Sequence, residues 1–285
     1  MIILNSGNDA QKSYFIPRML RGEDTFSFAM TEPDAGSDAR SMKTTAVQDG
    51  DNFVISGTKY WTTGATVADY IITITMTAQQ DGSKPAMTVF IVPTNSKGMK
   101  ITPIPKLAGE AFPSCEVVYD NVIVPRSTIL GGIEGLHNGI YQLVQTADLE
   151  RVCVAASCVG MAETILREST DYAKTREQFN RPIIKFQAIQ HSLADMATEI
   201  EAMRWMTYHA AWMRAEGKSC FKEISMAKLF CSETLNTIVT RGMKILGGRG
   251  YSMEYRMQRY LRESYLSLYA GGTSEIQKNV ISRFL

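Results

Sequence analysis

From Ile133 to Leu285 the chain carries one proline, Pro182, and the other eight of its nine prolines stand before Gly131. Proline lacks an N–H and fixes φ, so it interrupts helices. The second half can therefore hold long helices, and the first half, broken so often, cannot. Helical periodicity runs over 135–174, 185–216, 221–246, 255–268 and 274–284. Gly217, Gly247-Gly248 and Gly271-Gly272 supply the stops. Long antiparallel helices joined by short loops predict a four-helix bundle.

Residues 25–125 read differently. Thr44–Val47 and Phe53–Ile55 flank Asp49-Gly50, a hairpin signal. Tyr70–Met76 is β-branched and alternates poorly, as a strand buried on both faces does. Met87–Val92, Lys100–Ile104, Cys115–Tyr119 and Val122–Val124 continue the series between prolines. Short, regularly spaced strands predict an antiparallel sandwich or barrel. The expected fold class is α+β: a β-domain, a division near residue 130, then a helical bundle. Ahead of the strands, Asp9 is placed to cap a short helix through Leu20, and Gly22 to end it. A helix so near the first residue predicts that an earlier part of a larger protein is missing; a native short N-terminus is the plainer alternative.

Several functions are disfavoured by composition. Net charge is +1, so no strong field draws the chain to nucleic acid or an anionic membrane. Five cysteines, Cys115, Cys153, Cys158, Cys220 and Cys231, form no CxxC pair, so no metal site or disulfide framework is signalled. They suit a reducing cytoplasm. A mitochondrial matrix is the alternative for a eukaryotic source. No apolar run reaches the roughly 20 residues of a membrane span, and the start MIIL reads as no signal or transit peptide.

Five segments can carry chemistry. In FAMTEPDAGSD, residues 28–38, Thr31 offers a hydroxyl at a strand end, and Ala35–Asp38 lets the backbone approach an anion such as a pyrophosphate. Read alone, it is a turn of common turn formers. In KYWTTG, residues 59–64, an indole and two hydroxyls can cover a flat heterocycle; a half-buried tryptophan is the plainer alternative. In REQFNRP, residues 176–182, two arginines and an aromatic at a helix–helix turn can clamp a phosphate or form a solvated basic turn. KILGGRGY, residues 244–251, follows a helix rather than a strand, so a Rossmann reading fails and a glycine helix end remains. In YAGGTSEIQ, residues 269–277, Thr273 or Ser274 can cap the last helix, whose free N–H groups can bind an oxyanion.

Each segment alone is weak, but their order is specific. TEPDAGSD, GTKYWTTGA, REQFNRPIIKFQAIQHSLADM, ILGGRGY and GGTSEIQ together resemble the acyl-CoA dehydrogenase family across essentially the whole chain. The resemblance implies residues 1–24 as a remnant of a helical N-terminal domain, 25–130 as a flavin-binding β middle domain and 131–285 as the C-terminal bundle. It implies FAD as cofactor and an acyl-CoA thioester as substrate. A base takes the α-proton and the β-hydrogen leaves as hydride to flavin N5. Phe28, Met30, Thr31, Ser37, Trp61 and Thr63 match flavin-contacting positions. Arg176, Phe179, Lys244, Gly248, Thr273, Ser274 and Glu275 match positions that reach the FAD of a neighbouring subunit, with Lys244 standing where many members carry Gln. A homodimer or homotetramer sharing FAD follows, with an electron-transfer flavoprotein as the family's usual acceptor.

The same resemblance bears on the base. Many members carry it in a final-turn YEGT, where this chain has YAGGT with Gly271. A minority carry it in a DLER-like sequence on the helix that opens the bundle, and here Asp148-Leu149-Glu150-Arg151 stands there. Glu150 is therefore the expected base. Asp148, Arg151 and the Gly271 N–H match positions near the substrate. Two other readings stay open: a flavin oxidase or monooxygenase on the same fold, and a non-catalytic flavoprotein or structural subunit.

Overall fold

The computed structural model describes residues 1–79, 81–109 and 111–285. They form two compact units, 1–146 and 147–285. The units divide later than the change in proline content, because the first long helix starts in one and continues in the other.

Two helices open the first unit, α1 (Ile2–Ser6) and α2 (Asp9–Leu20). The cap of α2 is Asn8, not Asp9: Asn8 Oδ1 accepts from the Gln11 N–H at 2.9 Å, and Gln11 Oε1 accepts from the Asn8 N–H at 3.3 Å. Asp9 is the first helical residue, where its charge favours the positive end of the helix dipole.

Among the described residues seven strands follow: β1 (Phe26–Ala29), β2 (Thr45–Asp49), β3 (Asn52–Thr63), β4 (Tyr70–Thr77), β5 (Ala86–Pro93), β6 (Met99–Pro103) and β7 (Ser114–Pro125). They make one curled sheet ordered β1-β4-β2-β3-β7-β6, with β5 also on β4. Most pairs are antiparallel, while β4 pairs in parallel with β1 and β2. β7 joins into one strand what the sequence pattern splits in two. Asn121, at φ +52°, absorbs the irregularity. Alternation sorts the core. Ile71, Phe90 and Val92 pack with Phe53, Ile55 and Val117, and Ile72, Ile74, Val89 and Ile91 pack with Ile2, Ile3 and Leu130. A strand apolar on both faces is what the poorly alternating run 70–76 encodes.

The second unit contains most of α3 (Gly139–Thr175), a hairpin of β8 (Glu177–Gln178) and β9 (Arg181–Pro182), then α4 (Gln187–Ala215) and α5 (Phe221–Leu246). Shorter helices complete it: α6 (Gly248–Tyr251), α7 (Met257–Ser264), α8 (Leu266–Tyr269) and α9 (Ser274–Ser282). The fourth member of the bundle is thus built from pieces. Near the break the Ser264 carbonyl accepts from Ser267 Oγ at 2.6 Å and Asn236 Nδ2 at 3.4 Å, side-chain bonds that compete with the helical ladder. At Gly242 a Cβ would meet Met257 Sδ at 2.7 Å and Ile165 Cγ2 at 2.9 Å, so only glycine allows α5 to approach α3 and α7 this closely.

Candidate active site

In the first unit, two of the chemistry-bearing segments are tied together. The Tyr60 N–H donates to the Thr31 carbonyl at 2.8 Å. Lys59, fully buried, donates to the Met30 carbonyl and to Glu32 Oε1, each at 2.9 Å. Glu32 also accepts from the Lys43 N–H at 2.6 Å and the Thr44 N–H at 2.9 Å. Burial pushes the Lys59 ammonium below its ordinary value, while Glu32 pulls it back. Burial acts upward on the Glu32 carboxyl, but hydrogen bonds from Lys43, Thr44 and Lys59 outweigh it and leave it low. The sequence pattern contains both residues but not their pairing. The signal it offered was one carboxylate and one lysine, each inside a segment whose neighbours carry the motif.

That pair fixes the surface carrying Thr31 and Trp61. Trp61 sits at a register irregularity between β3 and β7 with φ +63°, a conformation bulky residues rarely take. The residue is 52% exposed, and its indole meets Tyr60 edge-on at 5.3 Å. Thr63 is exposed, with Oγ1 sharing a hydrogen bond with Ser114 Oγ at 2.9 Å. Phe28 is exposed and Met30 half-buried. Ser37 is exposed just past the turn closed between Glu32 and Ala35 by bonds of 3.0 and 3.3 Å.

The second unit brings Asp148, Glu150, Arg151 and Gly271 together. Arg151 Nε donates to the Gly271 carbonyl at 3.1 Å. Asp148 is buried, 3.8 Å from Arg151 and 4.0 Å from Arg214, so it sits between two cations. Burial raises its carboxyl above the ordinary range, against the pull of both arginines. A Cβ at Gly271 would lie 3.5 Å from Arg151 Cγ and 4.0 Å from the Glu150 carboxyl carbon. The bare face of this glycine therefore looks at Glu150. Its φ of +67° also suits glycine.

Glu150 makes no ion pair or hydrogen bond among the described residues. It is exposed along part of its side chain, yet protein crowds its carboxylate. That desolvation raises the carboxyl, while Arg151 and Lys228 pull it down. A carboxylate lifted from its ordinary range and free of a partner can take a proton.

The turn is gripped by its carbonyls. Gln277 Nε2 donates to Gly271 and Gly272, both at 3.0 Å. Lys228, fully buried on α5, donates to Leu268 at 3.2 Å and Gly272 at 2.8 Å. The Gly271 and Gly272 N–H groups make no hydrogen bond among the described residues. Thr273 caps α9, accepting from the Ile276 N–H at 3.3 Å, while Ser274 Oγ donates to Glu233 at 2.5 Å. Glu275 is exposed in the first turn of α9. Sequence reasoning missed Lys228. The signal was there: 224, 228, 231 and 235 form one helical stripe, occupied by Ile, Lys, Cys and Leu.

The remaining expected residues lie elsewhere in this unit. Arg176 and Phe179 belong to the β8–β9 hairpin, whose two-residue turn, Phe179-Asn180, has φ +52° and +58°. This is a tight strand turn where a helix–helix turn was expected. Phe179 is 87% exposed. Lys244 and Gly248 are exposed around the end of α5.

Two sequence models of one family match the chain: the acyl-CoA dehydrogenase middle domain over residues 27–122 and the acyl-CoA dehydrogenase C-terminal domain over 137–285. The chain belongs to the acyl-CoA dehydrogenase family. The family comprises flavoprotein oxidoreductases. This acyl-CoA dehydrogenase homologue is 40% identical to a 3-(aryl)acrylate reductase of Clostridium sporogenes, over 97% of this chain and 72% of that protein. It is 39% identical to a probable acyl-CoA dehydrogenase, YngJ, of Bacillus subtilis, over 98% and 73%. The solved structure of butyryl-CoA dehydrogenase from Megasphaera elsdenii superposes with a TM-score of 0.93 at 33% identity, covering 99% of this chain and 73% of that one. Among the described residues no helix is long and apolar enough to cross a membrane, and no acidic, His or Cys group is placed to hold a metal.

Proposed function

We propose that this chain oxidises the α,β-bond of an acyl-CoA thioester, with Glu150 as the base and FAD as the cofactor. The observation that carries this reading is the approach of Gly271 to Glu150: a Cβ there would stand 4.0 Å from the carboxyl carbon. The two positions at which the family resemblance puts a base thus converge on one spot. One is a glycine and the other is a carboxylate with no ion-pair partner.

Glu150 takes the α-proton. Crowding by protein keeps its carboxylate basic enough to do so. The Gly271 N–H is turned free because the neighbouring carbonyls are held by Arg151, Gln277 and Lys228, and it donates to the thioester carbonyl, stabilising negative charge as the proton leaves. Asp148 orients Arg151. Bound FAD would accept the β-hydrogen as hydride.

The residues of the first unit fit a flat, hydrogen-bonding ring. An exposed indole is held in a strained backbone beside Thr63, and Thr31 is tied to the same strand. Ser37 and the turn before it take the pyrophosphate. We assign the flavin to residues 25–130 and the base to 131–285. Arg176 lies 26 residues beyond Glu150, roughly 40 Å along a helix at 1.5 Å per residue. One chain cannot bring both to one small molecule, which supports the view that Arg176 and Phe179 serve the FAD of a second subunit; Lys244, Gly248, Thr273 and Glu275 are assigned to that FAD by the family resemblance alone.

The test is anaerobic titration of purified protein with a panel of acyl-CoA thioesters, following the flavin spectrum. Wild-type flavin bleaches. Glu150→Gln retains its flavin and slows bleaching by roughly 10²–10⁴-fold, the usual worth of a positioned base. Bleaching at the wild-type rate would remove Glu150 from the reaction.

A further inference from the structure

Lys228 is a fully buried ammonium without a carboxylate partner within 4.0 Å among the described residues; its hydrogen-bond acceptors are the carbonyls of Leu268 and Gly272. Burying a cation is unfavourable unless something negative compensates, and two neutral carbonyls compensate only partly. The helix could place a leucine at this point of its apolar stripe, between Ile224, Cys231 and Leu235. A cost of this kind, beside a base and its turn, needs a use.

The geometry points to Lys228 as a positioning residue that holds the 268–272 turn by its carbonyls and keeps Glu150 ionised. This rests on the reading of Glu150 as the base and deepens it. The clamp part follows from the bonds: with the carbonyls of 268, 271 and 272 all drawn to donors, the N–H groups of 271 and 272 are left to point elsewhere. The charge part follows from the surroundings of Glu150. On its own helix stand Arg151, the Asp148 that Arg151 pairs with, and the Cys158 thiol. On α5 stand Lys228 and, farther along, Glu233, which is occupied by Ser274. On α4 Arg214 is engaged with Asp148. The turn itself, Ala270-Gly271-Gly272-Thr273, has no titratable side chain. Arg151 is shared between Asp148 and the Gly271 carbonyl, whereas Lys228 has no carboxylate within ion-pair distance among the described residues, although Glu233 on its own helix also acts on it. Lys228 and Glu150 meet the same turn: Lys228 donates to the Gly272 carbonyl at 2.8 Å, and a Cβ on the adjacent Gly271 would stand 4.0 Å from the Glu150 carboxyl carbon. After Arg151, Lys228 is the cation that draws the Glu150 carboxyl down.

Two measurements on the flavin-loaded chain test this. The first is the pH profile of acyl-CoA-driven flavin reduction in Lys228→Gln and Lys228→Arg. Gln keeps a donor and removes the charge. The acid limb should move up by roughly one unit, the effect of losing a nearby opposite charge, with flavin content unchanged, and Arg should move it back. A Gln profile identical to wild type, with only thermal stability lowered, overturns the charge role.

The second needs no Lys228 variant to fold and no turnover. It follows the Lys228 Nζ resonance by ¹⁵N NMR in wild type and in Glu150→Gln, with the resonance assigned by its loss in Lys228→Gln or, failing that, by selective labelling. Linkage requires the reciprocal effect, so the Lys228 ammonium should lose its proton at lower pH once the Glu150 charge is gone. An unmoved titration overturns the inference and leaves the base reading intact. Conversely, normal flavin reduction by Glu150→Gln overturns the base reading, and with it this inference.

Discussion

Lys59 and Lys228 are both fully buried, one in each unit, and they are compensated in opposite ways. Lys59 meets Glu32 at 2.9 Å, and Glu32 collects two further backbone N–H groups. Every charge there is answered, and the Glu32 carboxyl ends below its ordinary value. Lys228 meets carbonyls only, and the carboxylate that feels its charge, Glu150, ends above its ordinary value. The difference separates scaffold from chemistry. A closed pair locks one strand to a loop and can do nothing else. At Glu150 desolvation lifts an unpaired carboxyl against the pull of Arg151 and Lys228, and a carboxylate lifted in this way can take a proton.

The largest effect expected from this contrast is on stability. Lys59→Met leaves the Glu32 carboxylate buried and unpaired, and should cost about 3–5 kcal/mol. Adding Glu32→Gln should return part of that, so denaturant melts of the two singles and the double will show non-additivity. Additive losses would mean the pair is not coupled. Lys228→Met takes the lysine donor from the neutral Leu268 carbonyl, while the Gly272 carbonyl keeps Gln277, and should cost less, about 1–3 kcal/mol. A loss equal to that of Lys59→Met would erase the distinction drawn between the two lysines.

The two carboxylates should respond to pH with opposite sign. The lowered Glu32 carboxyl contributes stability above the ordinary value of 4.5 that is lost as pH falls through its folded value. Glu32→Gln should therefore melt below wild type at neutral pH, with the gap closing in acid. The raised Glu150 carboxyl contributes stability that is full below 4.5 and lost as pH rises through its folded value. Glu150→Gln should melt above wild type at neutral pH, and the gain should vanish in acid. Melting temperatures across pH 3–8 decide it, and gaps of the same sign would refute the contrast.

The smallest effect concerns Trp61. Its φ of +63° stores strain that glycine does not feel. Trp61→Gly should leave stability unchanged or raise it by about 1 kcal/mol, while FAD affinity falls. A stability loss would mean that the indole serves the β-fold rather than a ligand.

Much of the candidate site is legible in the amino-acid sequence. The five ordered segments locate Thr31, Ser37, Trp61, Thr63, Arg176 and the 269–277 turn, and the paired absence and presence of Glu at 271 and 150 point to one residue. What escapes is geometry that no local pattern encodes. Glu32 and Lys59 lie 27 residues apart, and their pairing depends on β3 reaching back to the loop after β1. The 177–182 hairpin is hidden because Phe179-Asn180 lacks the usual glycine of a two-residue turn. Lys228 is easily passed over because lysines on helices are ordinarily exposed, and its place in the apolar stripe of Ile224, Cys231 and Leu235 shows only when the helix is read by face.

The sequence by itself determined the order of a β region and a helical region, because proline placement and hydrophobic period act locally, within a few residues of chain. It also determined the identity of the chemical groups. Tertiary structure alone decided which of them are desolvated and which are answered, because dielectric environment and charge pairing depend on distances across the fold. That is why two lysines that look alike in the chain end in different surroundings, one paired with a carboxylate and one bonded to carbonyls.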